Sequence, residues 1–140
     1  MQAAPEVWFT HTTDDERDRP DLFKQQDPGV CVTYSGVDAA VDALLQRVST
    51  DPVDAVVGLF EGCLVVHLAA ARLLRQGEQL PWPCSVFFGD LPIRDDSLSK
   101  VFEGQKAKHQ SIHVFGRADE YYFYGRRAAG RLAPEDYYEA

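Results

Sequence analysis

Asp54-Ala55-Val56-Val57-Gly58-Leu59-Phe60-Glu61-Gly62-Cys63-Leu64-Val65-Val66 is the stretch on which the fold turns. Residues 54–59 read as a short buried strand, and the apolar run from Cys63 to Arg75 reads as a helix. Between them lies a glycine-bracketed pentapeptide, Gly58-Leu59-Phe60-Glu61-Gly62. Strand, tight turn and helix form the setting in which the motif G-x-S-x-G has a mechanism. The turn lifts one side chain above the carboxyl edge of a sheet and aims the next backbone N–H at an oxyanion. Glycines flank such a turn because the backbone crowds there and a Cβ would clash. In this chain Phe60 stands at the serine position, so the frame is kept and the hydroxyl is gone. If the frame folds as the spacing predicts, Phe60 takes a positive φ, a strained state for a bulky residue.

Upstream, Val37, Ala40, Val41, Leu44, Leu45 and Val48 recur at helical spacing and predict an amphipathic helix over about 36–49. Ser35 and Asp38 offer it a capping box, and Asp51-Pro52 ends it. The strand at 54–59 is apolar on successive residues, the pattern of a strand covered on both faces. The helix after Gly62 is apolar nearly all round and is expected to be the central buried one. Arg72 and Arg75 suit its C-terminal dipole, and Gly77 is placed to end it. Downstream come strands at 85–88 and 111–115, a short helix at about 96–103, and a last helix at about 121–132. Strands alternating with helices predict an α/β fold, a three-layer α-β-α arrangement with a small, mostly parallel sheet of about three to five strands. Residues 1–33 read as an irregular segment with a short strand at 6–10 and a polar loop at 14–28 anchored by Leu22 and Phe23. Residues 133–140 read as an acidic tail.

A chain of 140 residues with 45% hydrophobic content is one soluble domain in size and composition. Its formal net charge of −8 argues against nucleic acid and against docking on an anionic membrane surface. No apolar run approaches the length of a membrane span. Cys31, Cys63 and Cys84 lie far apart, without a C-x-x-C or a histidine pair at ligand spacing, so neither structural zinc nor a cofactor is expected. The thiols read as small apolar core residues in a reducing compartment. Residues 1–6 lack the regions of a secretory signal, which points to the cytoplasm and leaves the mitochondrion open.

Four segments together resemble the FSH-type serine hydrolases of the α/β-hydrolase fold. In that family a Y-x-G helix precedes a strand reading roughly F-D-G-V-L-G-F-S-Q-G-A. Here Tyr34-Ser35-Gly36 precedes Val53-Asp54-Ala55-Val56-Val57-Gly58-Leu59-Phe60-Glu61-Gly62-Cys63. Phe88-Gly89-Asp90-Leu91-Pro92-Ile93-Arg94 is similar to the family's S-G-x-x-P-R, with proline and arginine displaced by one residue. Ile112-His113-Val114-Phe115-Gly116-Arg117-Ala118-Asp119 is similar to its L-H-V-x-G-x-x-D. The region that carries the resemblance runs over about 34–132.

The resemblance implies that the nucleophile position falls on Phe60 and the triad acid on Asp119. It also implies a triad histidine after the acid, beyond one more strand. His11, His67, His109 and His113 all precede Asp119. The family's N-terminal half, with the loop donating the second oxyanion N–H, has no counterpart, so the chain reads as a truncated domain. A pocket rim would be built from Leu59, Phe60, Glu61, Gly62, Leu91 and Asp119. Cys63 reads as a buried core thiol, and His67 and His113 as satisfied interior imidazoles. Asp119 is expected to cap the final helix.

Two functions follow. The first is a pseudoenzyme acting as a scaffold, which binds a protein partner or its own copy through an open sheet edge or the Tyr121–Tyr124 face. The edge is open unless residues 6–10 or 29–34 fold back to pair there. The second is a small carboxylic-ester hydrolase or ligand-binding protein whose active site is rebuilt from other groups.

Overall fold

The computed structural model describes residues 10–13, 32–90, 93, 95–102, 109–119 and 137–139. Strands β1 (Thr10–Thr13) and β2 (Val32–Ser35) pair antiparallel as a separate two-stranded sheet. Helix α1 (Val37–Thr50) leads to β3 (Ala55–Leu59), and helix α2 (Gly62–Arg75) leads to β4 (Cys84–Phe88). A short helix α3 (Asp96–Ser99) and a 3-10 turn (Lys100–Phe102) precede β5 (Gln110–Phe115) and β6 (Tyr137–Glu139). The main sheet has the order β3-β4-β5-β6, and every neighbouring pair is parallel. The expected α/β fold with a small parallel sheet is what the chain forms.

Because the strands alternate side chains, the sheet presents two unlike faces. Val56, Ser85, Phe87, Ser111, His113 and Phe115 are buried on one of them. Helix α2 packs on β3 and supplies the centre of the core, burying ten residues between Cys63 and Leu73. Helix α1 packs in turn on α2, through Val37, Ala40, Val41 and Val48. That is the stripe its spacing predicts. Arg72 of α2 ties the two helices at the surface by pairing with Asp38 at 2.9 Å and with Asp42.

Three local expectations are corrected. The strand at 54–59 is not covered on both sides: Ala55, Val57 and Leu59 are exposed, and only Val56 and Gly58 are buried. Among the described helices, α2 packs on the sheet, and it covers the face that carries Val56. The capping box does not form. Strand β2 runs through Ser35, leaving Gly36 at φ 84° as the N-cap without a side-chain bond. The segment at 133–140 is not wholly a solvated tail, since Tyr137–Glu139 pairs with His113, Val114 and Phe115 as the outermost parallel strand. Tyrosines favour strands because an aromatic ring packs well on a pleated surface.

The open edge expected at β3 is present among the described residues. Strand β2 pairs with β1 and not with β3, which ends the main sheet. Most of the short strand expected at 6–10, the loop at 14–28 and the helix at 121–132, including the Tyr121–Tyr124 face, lie outside the described residues. No described helix is long and apolar enough to cross a membrane.

Candidate functional site

The turn after β3 has the geometry its glycines imply. Phe60 N–H donates to the Phe88 carbonyl at 2.9 Å, carrying the β3–β4 ladder one residue past Leu59. The chain then reverses at Phe60, whose φ is 48°, and Glu61 enters the right-handed helical region at φ −64° and ψ −23°. Cys63 N–H donates to Phe60 O at 3.0 Å and Leu64 N–H to Glu61 O at 3.1 Å, which closes the turn into α2. Gly58 is required: a Cβ there would lie 2.8 Å from the Cys63 Cα. Gly62 is not crowded, since a Cβ there would meet nothing within 4 Å. The clash argument therefore holds for the first glycine of the motif and fails for the second.

The Phe60 ring is presented outward, 62% exposed, and lies over Gly89 at the carboxyl end of β4. A Cβ on Gly89 would sit 2.9 Å from two carbons of that ring, and Gly89 itself has φ 61°. A bulky residue at positive φ stores roughly 1–3 kcal/mol of strain, and this ring recovers little of it by burial. Phe60→Gly should therefore raise stability in dilute solution by about 1 kcal/mol after the entropic cost of glycine. Urea denaturation of the two proteins checks this. A loss of stability would show that the ring is held by more than Gly89.

All strands of the main sheet point the same way, so the turns after β3 and β5 share one edge. Leu59, Phe60, Glu61, Gly62 and Asp119 are brought to that edge; Leu91 lies outside the described residues. Asp119 is half-buried in the turn after β5, where its N–H donates to Gly116 O at 3.0 Å. The helix it was expected to cap lies outside the described residues. Two strand spacings, about 10 Å, separate the elbow from this acid. No histidine follows Asp119 in the 140 residues.

Beneath the elbow is a cluster that sequence reasoning did not assemble. Asp90, two residues past β4, is 1% exposed, and its Oδ2 accepts a hydrogen bond from His67 Nε2–H at 2.8 Å. His113 Nδ1 lies 3.5 Å from the same oxygen. Burial pushes the Asp90 carboxyl up, but the imidazoles of His67 and His113 outweigh it and hold it below the usual carboxylate range. His67 is a satisfied interior imidazole, as expected. His113 is buried but not satisfied: neither of its ring nitrogens has a hydrogen-bond partner, and Asp90 Oδ1 and Ser111 Oγ also lack one. One carboxylate oxygen within hydrogen-bond reach of only one ring leaves the other dry. The detectable signal was the alternation that puts Ser111, His113 and Phe115 together on the core face of β5.

Cys63, three residues past the elbow, is a buried thiol whose Sγ donates to Phe88 O at 3.7 Å. Burial, then the charge of Asp90, pushes its pKa far above the ordinary thiol value. A thiol held protonated is a poor nucleophile. Among the described residues no cluster of three or more His, Cys, Asp or Glu has the arrangement of a metal site.

A family profile described as Serine hydrolase (FSH1) matches residues 2–128, beginning well before Tyr34, where the quoted motifs begin. No curated protein and no solved structure matches the chain.

Proposed function

The chain belongs to the FSH1 serine hydrolase family, and from that premise we propose that it is a catalytically silent member whose hydrolase frame serves as a protein-binding scaffold. One observation carries this. The elbow persists, with its left-handed central residue and its closing hydrogen bonds, yet it presents an exposed phenylalanine where the reaction needs a hydroxyl. Removing the serine of a triad costs on the order of a million-fold in turnover, and further losses in the same triad add little.

The groups from which chemistry would have to be rebuilt are out of reach of a substrate. Cys63, His67, Asp90 and His113 are all buried. What the edge offers instead is an aromatic ring flanked by exposed apolar residues, on a strand whose outer edge has no partner among the described residues, the composition of a contact surface. The free thiols of Cys63 and Cys84 fit a reducing, cytoplasmic setting.

The purified chain is expected to hydrolyse p-nitrophenyl acetate and butyrate no faster than buffer and to escape labelling by a fluorophosphonate probe. Turnover that survives purification and is lost on altering Asp119 or Cys63 would overturn this reading. Such a result would make the protein an esterase with a rebuilt site.

A further inference from the structure

We propose that a cleft between helices α1 and α2 and the α3 segment binds a small organic monocarboxylate with an apolar chain. The cleft is built from other residues than the elbow, and the inference goes beyond the scaffold reading without resting on it.

The cleft has a volume of about 310 Å³, within the range of pockets that take small ligands. Three elements wall it. Helix α2 contributes Leu68, Arg72 and Arg75, at i, i+4 and i+7, which the helical repeat lines up as one stripe. Its C-cap residue Gln76 extends that stripe. Leu98 of α3 and Val101 of the 3-10 turn, which packs on α2, supply the second wall. Asp38, in the first turn of α1, stands at the rim.

The lining has an apolar part and a cationic part. Leu68 is buried, and Leu98 and Val101 are half-buried, so a hydrocarbon chain lying against them leaves water. Arg72 pairs with Asp38 at 2.9 Å and with Asp42. A guanidinium carries five N–H donors, and these contacts leave some of them for a ligand. Its side chain is 33% exposed, whereas the two carboxylates are 93% and 70% exposed and stand in solvent, where their charge is screened more than that of the cation they hold. Arg75 is exposed and makes no ion pair among the described residues. The Arg72, Leu73 and Leu74 carbonyls at the end of α2 accept from the N–H groups of Gln76, Gly77 and Glu78, so they are not left bare toward an anion.

Charge selects the ligand. An ammonium group would meet two guanidinium groups, and a neutral amphiphile would leave Arg75 unused. A phosphate dianion would bring a second negative charge against Asp38 and Asp42. One negative charge matches the one unpaired cation, and the planar fork of a guanidinium fits a carboxylate through two parallel hydrogen bonds. At about 30 Å³ per heavy atom, the share of a water molecule in the liquid, the cleft holds roughly ten of them, the size of octanoate.

Titration of sodium octanoate into the ¹⁵N-labelled full chain, followed by amide chemical shifts, tests the proposal. Saturable binding is expected with a Kd of about 0.1–1 mM, and the largest shifts should fall on Leu68, Arg72, Arg75, Leu98 and Val101. Each methylene removed from the chain should weaken binding about 2–4-fold. Arg75→Gln, on an exposed side chain whose loss spares the fold, should weaken octanoate at least about 10-fold. Octylammonium at the same concentrations should leave these amides unmoved.

The absence of saturation by about 10 mM octanoate overturns the proposal. Binding that is indifferent to Arg75→Gln, or equal for octylammonium, overturns it as well, because the apolar chain alone would then account for the contact. Shifts centred on Leu59, Phe60 and Phe88 would place the ligand on the exposed sheet face and remove this site.

Discussion

Asp90→Ala should destabilise the protein by about 1–3 kcal/mol, the cost of leaving a buried hydrogen-bond donor without its acceptor. The side chain lies at the meeting point of β4, α2 and β5, and it is the acceptor for His67 Nε2–H at 2.8 Å. Without it, that donor is orphaned in the core beside His113, which already has no hydrogen-bond partner. Against a typical domain stability of about 5–15 kcal/mol, such a loss is a large share of the whole. Urea denaturation at neutral pH measures it directly. A cost under about 1 kcal/mol would mean that the histidines find acceptors elsewhere or that water reaches the cavity.

The same residue makes the protein acid-sensitive, with a sign that can be worked out. Its folded carboxyl titrates below the usual range, whereas the unfolded chain titrates near about 3.9. The unfolded state therefore takes up its proton first. The stabilisation is complete above the unfolded value and is lost as pH falls through the folded one. Asp90→Asn keeps the shape and removes the titration. Its deficit relative to wild type should be largest at neutral pH and shrink below about pH 4. Parallel stability curves for the two proteins through that range would exclude Asp90 as the source.

Much of the frame was legible because it is local. The strand, elbow and helix at 54–75 announce themselves by an apolar run, paired glycines and a second apolar run, and Val37 to Val48 by helical spacing. What escaped depends on distant parts of the chain. Ala55 to Leu59 is largely apolar at both parities, so its pattern alone cannot reveal that Val57 and Leu59 face outward. That follows from the packing of α2, which covers the Val56 side of the strand. The strand at Tyr137–Glu139 was hidden because three residues beside a run of acid and proline carry too short a signal.

The site divides in the same way. Phe60 and Asp119 follow from motif positions and sit at the expected sheet edge. The Asp90 cluster draws its members from three separate elements, with His67 and Asp90 already 23 residues apart. Periodicity places each histidine on a core-facing position but says nothing about which partner the topology delivers. Asp90 falls between the strand expected at 85–88 and the helix expected at about 96–103, and an acid between elements is solvated by default. Only the fold shows that Gly89, at positive φ, turns the following carboxylate inward under the elbow.

The elbow itself can be tested by a pair of substitutions whose outcomes should differ in sign. Gly58→Ala places a methyl group 2.8 Å from the Cys63 Cα, 3.1 Å from its nitrogen and 3.2 Å from its Sγ. Two of those atoms are backbone in the first turn of α2, so no rotamer change can make room. The helix must move off β3, straining the Cys63 N–H to Phe60 O bond that closes the turn and loosening the residues that α2 buries. Overpacking of this kind costs about 1–3 kcal/mol, and the rigid obstacle puts this case at the upper end. Gly62→Ala enters open space in the first turn of the same helix. There alanine is preferred over glycine by up to about 1 kcal/mol, so stability should hold or rise. Denaturation midpoints of the two variants decide between a crowded elbow and a relaxed one. If Gly58→Ala costs no more than Gly62→Ala, strand and helix do not approach as closely as the turn requires, and the frame has loosened along with the chemistry.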